Sequence, residues 1–260
     1  MSEAASSVAE ACALVSQASR ITVLTGAGVS TASGIPDFRG PNGVWTQNPG
    51  AARMFDIDTY LAEREVRVQA WRNRRDHPAW LAQPNAAHAA LVGIERDGRL
   101  RALLTQNIDE LHQAAGSGEH APLLELHGSV RRAMCLECGW RGPMQDVLAR
   151  VEAGEEDPPC LVCGGILKSD TISFGQSLDA EVLRAAAAAA TDCDLFLAVG
   201  TSLQVNPAAG LVPLAVRAGA DLVIVNAEPT PFDLLADAVV SDPIEEALPA
   251  ILAGIAGTPR

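Results

Sequence analysis

Four cysteines in the middle of the chain, Cys135, Cys138, Cys160 and Cys163, form two CxxC pairs with 21 residues between them. That spacing is close to the one that gathers four thiolates around a tetrahedral zinc ion in ribbon-like modules. Gly139, Gly164 and Gly165 follow the pairs and suit the tight knuckles in which paired thiolates converge. With every position filled by protein, no place is left for an activated water, so the expected zinc is structural. Cys12 and Cys193 read as small buried apolar residues.

Groups that could act on a ligand lie elsewhere. Gly26, Ala27, Gly28 and Ser30 follow a short apolar run. Glycines after a strand let the backbone approach a pyrophosphate while the next helix points its N-terminus at the charge. Thr31 stands where the third glycine of the dinucleotide fingerprint belongs, and no strand ending in a carboxylate follows at the expected distance to take the ribose. An ordinary hydride-transferring dehydrogenase is therefore disfavoured.

The loop Gly34–Gly40 combines Ile35, a stiff Pro36, Asp37, Phe38 and Arg39 between glycines that could hinge it. Gln106, Asn107, Ile108 and Asp109 lie just past an apolar run and are candidates for nicotinamide and ribose contacts. His127 follows another such run, and an imidazole there could serve as general base near neutral pH, although a lone histidine is more often structural. Gly200, Thr201 and Ser202 offer small hydroxyls for phosphate, and Asn226, Ala227 and Glu228 offer side chains for an adenosine ribose.

The elements that must position these groups alternate. Apolar runs at Arg20–Leu24, Ala102–Leu104, Leu123–Leu126, Asp194–Val199 and Leu222–Val225 read as buried parallel strands separated by helical or loop-rich segments. This alternation predicts an α/β fold with a doubly wound, Rossmann-like parallel sheet, whose ligand edge is the carboxyl end of the strands. Residues 1–40, 85–128 and 169–260 are assigned to that NAD-binding domain, 41–84 to a small helical module, and 129–168 to a zinc-binding module. The last holds few large apolar residues, so metal is expected to supply its stability. The alanine run within Leu183–Cys193 reads as an ordinary helix.

Bulk properties limit the partners. A net charge of -13 disfavours a broad electrostatic footprint on nucleic acid or anionic membrane. No run approaches the ~20 apolar residues that span a bilayer, and the start of the chain lacks the basic region of a signal peptide. A cytoplasmic protein with reduced thiols is expected.

Taken together, GAGVS at 26–30, GIPDFRG at 34–40, TQNID at 105–109, His127-Gly128, the two CxxC pairs, Phe174-Gly175, GTSLQV at 200–205 and Asn226 resemble the sirtuin family of NAD-dependent protein-lysine deacylases. The match in order and spacing covers roughly Ile21 to Ile244. Gly40–Thr46, Ser169–Ile172 and Leu222–Asn226 look most like the branch that includes the mammalian chromatin-associated members. Glu110 departs from the glycine many members carry there, and Gln176 from an acid.

The resemblance implies a reaction between NAD and an acyl-lysine protein or peptide. The acyl oxygen attacks the nicotinamide ribose, nicotinamide leaves, His127 acts as general base on a ribose hydroxyl, and free lysine and acylated ADP-ribose result. It implies that Asn107 and Asp109 orient ribose and nicotinamide, with Ile35 and Asp37 bordering the nicotinamide pocket. Phe38 would shield the ribose and Arg39 would meet phosphate. Gly200, Ser202, Asn226, Glu228 and Ile244 would line the adenosine half, and Ile172–Gly175 and Leu203–Val205 would pair with substrate backbone. Acyl preference turns on Trp71 and Arg74, where succinyl-selective members carry Tyr and Arg. In so Arg-rich a helix, Arg74 reads as a solvated surface group, and acetyl or longer acyl groups are preferred. ADP-ribosyl transfer to protein and a non-catalytic binding module are the alternatives.

Overall fold

The computed structural model describes residues 3–40, 43–47 and 49–253. Pro41 and Asn42 of the Gly40–Thr46 segment lie outside the described residues. The strands are β1 Ile21–Thr25, β2 Leu100–Thr105, β3 Leu123–Glu125, β4 Gly128–Cys135, β5 Arg141–Pro143, β6 Leu167–Thr171, β7 Leu195–Val199, β8 Asp221–Val225 and β9 Ala238–Val240. Both faces of β1 and β7 are buried throughout, as strands covered by helices on both sides must be.

Six strands form one parallel sheet in the order β3-β2-β1-β7-β8-β9. Alternate side chains divide between its faces. Val23, Leu103, Leu197 and Val223 pack with helices Glu3–Gln17, Ala86–Arg96 and Ile244–Ala253. Leu24, Leu104, Ala198 and Ile224 pack with Ala180–Thr191 and Leu211–Arg217. The order reverses between β1 and β7, the switch point at which sheets of this kind bind ligands. The register sets Glu125, Thr105, Thr25, Val199, Val225 and Val240 in one row at the carboxyl edge. Residues just beyond that row therefore face a common space.

A second, antiparallel sheet of order β5-β4-β6 carries the first cysteine pair on and after β4. Its region has a core after all. Ala133, Cys135, Met144, Val147, Leu148 and Leu167 surround the fully buried Trp71, which arrives from helix Arg64–Arg75 of the neighbouring segment. A large indole supplied from outside replaces the apolar residues that 129–168 lacks.

Two further features differ from the sequence reading. The segment after Gly26 is a 3-10 helix, Ala27–Ser33, in which Thr31 Oγ1 donates to the Gly28 carbonyl (2.9 Å) and which Gly34, at φ 85, ends. Strand β9 was not expected, since three small residues carry no periodicity.

Candidate active site

The glycine turn packs against the end of β7. The amide of Gly26 donates to the Val199 carbonyl (3.0 Å) and that of Gly28 to the Gly200 carbonyl (2.9 Å). A Cβ at Gly26 would stand 2.6 Å from the Gly200 oxygen, and one at Gly28 would stand 2.8 Å from its Cα. These glycines thus let two strand ends meet at the switch point, and their own amides are engaged there. The amide of Ala27 has no partner among the described residues.

Beside this turn a buried polar group converges. Ser30 Oγ donates to Asp109 Oδ2 (2.7 Å), and Asn107 Nδ2 donates to Ser30 Oγ (3.2 Å). The other Asp109 oxygen accepts the Leu111 amide (2.9 Å). Gln106 Nε2 reaches across to Thr201 Oγ1 (2.9 Å), bridging the ends of β2 and β7.

His127 sits half-buried past β3, with Nδ1 3.1 Å from the Gln106 carbonyl oxygen. A carbonyl only accepts, so Nδ1 bears the proton and neutral His127 presents an unprotonated Nε2. Burial pushes its pKa below 6.5, partly offset by the bond to Gln106.

Behind these groups runs a layer that the sequence reading missed. His112 Nε2 meets Thr25 Oγ1 (2.9 Å), Thr25 donates to Thr105 Oγ1 (2.9 Å), and Thr105 Oγ1 accepts the Asn107 amide (3.0 Å). Since Thr25 gives its proton to Thr105, His112 Nε2–H must be the donor. The His88 ring lies 4.8 Å from that of His112, tilted by 53°, and burial drives their pKa values to about 4 and about 3, with Asp109 pulling His88 back up and His88 pressing His112 further down. Both rings are neutral spacers fixing the loop behind Asn107. Polar residues buried inside apolar strands leave no signal in hydrophobic periodicity.

The remaining predicted residues spread along the same edge. Ile35 is buried and Ile108 half-buried, and both belong to one apolar cluster with Leu111 and Val130. Asp37 Oδ1 accepts the Gly40 amide (2.9 Å), closing its own loop. Phe38 meets Phe55 edge-on at 5.9 Å, and Arg39 is exposed. Ser202 is half-buried, and Asn226 Nδ2 donates to the Glu228 carbonyl (2.6 Å) with Ala227 and Glu228 exposed. Ile244 lies within the core at the start of its helix.

Cys135, Cys138, Cys160 and Cys163 hold their sulfurs within 4.8 Å of one another. Cys135 and Cys163 are 3.5 Å apart, and Cys138 and Cys160 are 3.8 Å apart. Tetrahedral zinc with ~2.3 Å bonds sets sulfurs roughly 3.8 Å apart, so the donor set fits one such ion. The amides of Glu137 and Gly165 point at Cys135 and Cys163 (3.5 and 3.4 Å), as knuckle turns require.

The Sir2 family profile matches residues 26–207. The chain belongs to the Sir2 family, the sirtuins. It is 56% identical to NAD-dependent protein deacetylase 2 of Streptomyces coelicolor over 90% of this chain and 97% of that protein. A Sir2 His-to-Ala variant with deacetylated p53 peptide and 3′-O-acetyl ADP-ribose superposes with TM-score 0.86 at 35% identity, covering 95% of this chain and 97% of that one. A Sir2–p53 peptide–NAD+ structure gives TM-score 0.82 at 36% identity, over 93% and 95% of the two chains.

In this sirtuin Arg74 is not the solvated group its Arg-rich helix suggests. Its Nη1 donates to Tyr60 Oη (3.2 Å), its Nε to Ser169 Oγ (3.2 Å), and its guanidinium lies 4.7 Å from the Trp71 ring. Tyr60, from helix Ile57–Ala62, is invisible as a partner in sequence because it lies 14 residues away. The segment Ile172–Gly175 is tied down as well. Phe174 exchanges backbone bonds with Phe55 (2.7 Å) and Ile57 (3.0 Å), and Gln176 Oε1 accepts the Ser173 amide (3.0 Å).

Proposed function

We infer that this sirtuin removes acyl groups from protein lysine side chains in an NAD-dependent reaction that yields nicotinamide, O-acyl-ADP-ribose and free lysine. The observation that carries it is the His127 imidazole, held by Gln106 with a free Nε2, on the same sheet edge as the Ser30–Asn107–Asp109 group.

The residues present fit NAD. Hydroxyl, amide and carboxylate groups gather at the switch point, the chemistry that ribose hydroxyls need as partners. When bound, NAD supplies the glycosidic bond to nicotinamide and the ribose hydroxyls that receive the acyl group. We assign Asn107 and Asp109 to orienting the nicotinamide ribose, with Ser30 and the buried threonines fixing them. Ile35, Asp37 and Ile108 border nicotinamide, Phe38 shields the ribose, and Arg39 meets phosphate. Gly26, Ala27, Gly28 and Thr201 face the pyrophosphate, Gln106 the nicotinamide and its ribose, and Gly200, Ser202, Asn226, Ala227, Glu228 and Ile244 line the adenosine end. His127 Nε2 accepts the ribose hydroxyl proton, which raises the nucleophilicity of that oxygen. The four cysteines hold a structural zinc ion away from this chemistry.

The substrate is an acyl-lysine peptide segment, with acetyl or longer chains preferred. That preference rests on Trp71, which stands where succinyl-selective members carry Tyr and lacks its phenolic hydroxyl. Membership of the branch with the mammalian chromatin-associated members rests on the short segments named above, and the similar proteins of Streptomyces coelicolor and Pyrobaculum aerophilum lend it no support. No described helix is long and apolar enough to cross a membrane, and a cytoplasmic site is proposed from composition. Incubation with NAD and an acetyl-lysine peptide tests the reading by mass spectrometry. O-acetyl-ADP-ribose in step with nicotinamide supports it. ADP-ribosylated peptide with the acetyl group retained overturns it.

A further inference from the structure

Glu110 adopts φ 61 and ψ 23, the left-handed region in which a side chain crowds the backbone and glycine is favoured. It makes no side-chain cap on the helix Leu111–Ala115 that it precedes. A strained residue beside Asp109 asks what the carboxylate does there.

Its carboxylate leaves the nucleotide-binding sheet and meets the zinc-binding one. Ser129 Oγ donates to Oε1, Arg132 Nη1 donates to the same oxygen (3.2 Å), and Arg131 Nε lies 4.0 Å from Oε2. The contact continues along the loop, as the Val130 amide donates to the Ile108 carbonyl (2.9 Å) and Arg131 Nε to the Asp109 carbonyl (3.4 Å). Strand β4 is irregular at this point. It pairs with β6 through Ser129 and again from Ala133, leaving Val130, Arg131 and Arg132 as a bulge. The three bulged residues, together with Ser129 just before them, grip Ile108, Asp109 and Glu110. Bulges beside active sites commonly re-aim side chains in this way. Arg132 also pairs with Glu125 and Asp170, so the grip joins β3, β4 and β6.

We propose that Glu110 is a positioning residue, latching the loop that carries Asn107 and Asp109 onto the bulge of β4, so that the zinc-binding sheet sets where that loop stands. The proposal rests on the deacylase reading, which the turnover of the native chain tests separately.

The experiment compares native protein with Glu110→Gly and Glu110→Gln, measuring KM for NAD, kcat and Tm. Glycine relaxes the backbone but removes the carboxylate, so KM for NAD should rise by about tenfold while Tm holds within about 2 °C. Glutamine retains an acceptor for Ser129 and should recover at least half of that loss. Native kinetic constants in Glu110→Gly overturn the proposal, as does a loss of activity that merely follows a fall in Tm. Should Glu110→Gly fail to fold, Ser129→Ala provides the same reading. A rise in KM for NAD of about threefold supports the latch, and an unchanged KM overturns it.

Discussion

The Nδ1 atom of His127 and the carbonyl oxygen of Gln106 lie 3.1 Å apart, so one backbone acceptor fixes the tautomer of the imidazole. Gln106 also follows β2 directly and bonds Thr201 beyond β7 through its side chain. The orientation of the base is thereby tied to the two strand ends that flank the glycine turn.

The pH profile follows from the burial of His127. Its pKa lies below 6.5, so the neutral base predominates above that value and activity is lost as pH falls through the lowered pKa. The acid limb of kcat/KM for NAD is expected below pH ~6.5. A limb centred above pH 7 would show that another group controls the step.

Stability should depend on His88 and His112 in the same direction. Both are neutral when folded, with pKa values near 4 and 3, whereas the unfolded chain takes up protons near 6.5. Their contribution is complete above pH 6.5 and falls as pH drops below it, by up to ~1.4 kcal/mol per pH unit for each ring. Thermal melts between pH 8 and pH 5 check this. His112→Gln should flatten the slope, and an unchanged slope would count against the neutral pair.

Zinc removal should act first on the second sheet. One zinc per chain is expected by atomic emission, and Cys138→Ser or a strong chelator should lower Tm by several degrees. Full metal content in Cys138→Ser would exclude the four-thiolate site.

Two glycines should respond oppositely to alanine. Gly200 has φ 62, and a Cβ there would stand 2.5 Å from the Val29 amide, so Gly200→Ala should cost about 1–3 kcal/mol and weaken NAD binding. Gly93 lies in helix Ala86–Arg96 with open space around a Cβ, and Gly93→Ala should gain up to ~1 kcal/mol. Melts and NAD titration of the two variants check the contrast.

Much of this arrangement is legible in the residues themselves. Strands such as Leu195–Val199 announce themselves by unbroken apolar runs, and CxxC spacing announces the metal site because tetrahedral geometry tolerates few alternatives. What escapes is whatever depends on partners distant in sequence. Trp71 reads as part of a helical module but completes the core of the zinc-binding sheet, and Tyr60 reaches Arg74 only once two helices have packed. Thr25, Thr105 and His112 hide inside elements defined by their apolar neighbours. The glycine turn directly follows β1, and its Gly26 and Gly28 amides serve the meeting of two strand ends.

The central claim is that this sheet edge carries NAD-dependent deacylation with His127 as its base. The direct test incubates native protein and His127→Ala with NAD and an acetyl-lysine peptide, following nicotinamide and deacetylated peptide together. Native protein should form both in equal amounts, and the variant should lose peptide deacetylation by about a hundredfold or more. Equal turnover by the two proteins would contradict the account.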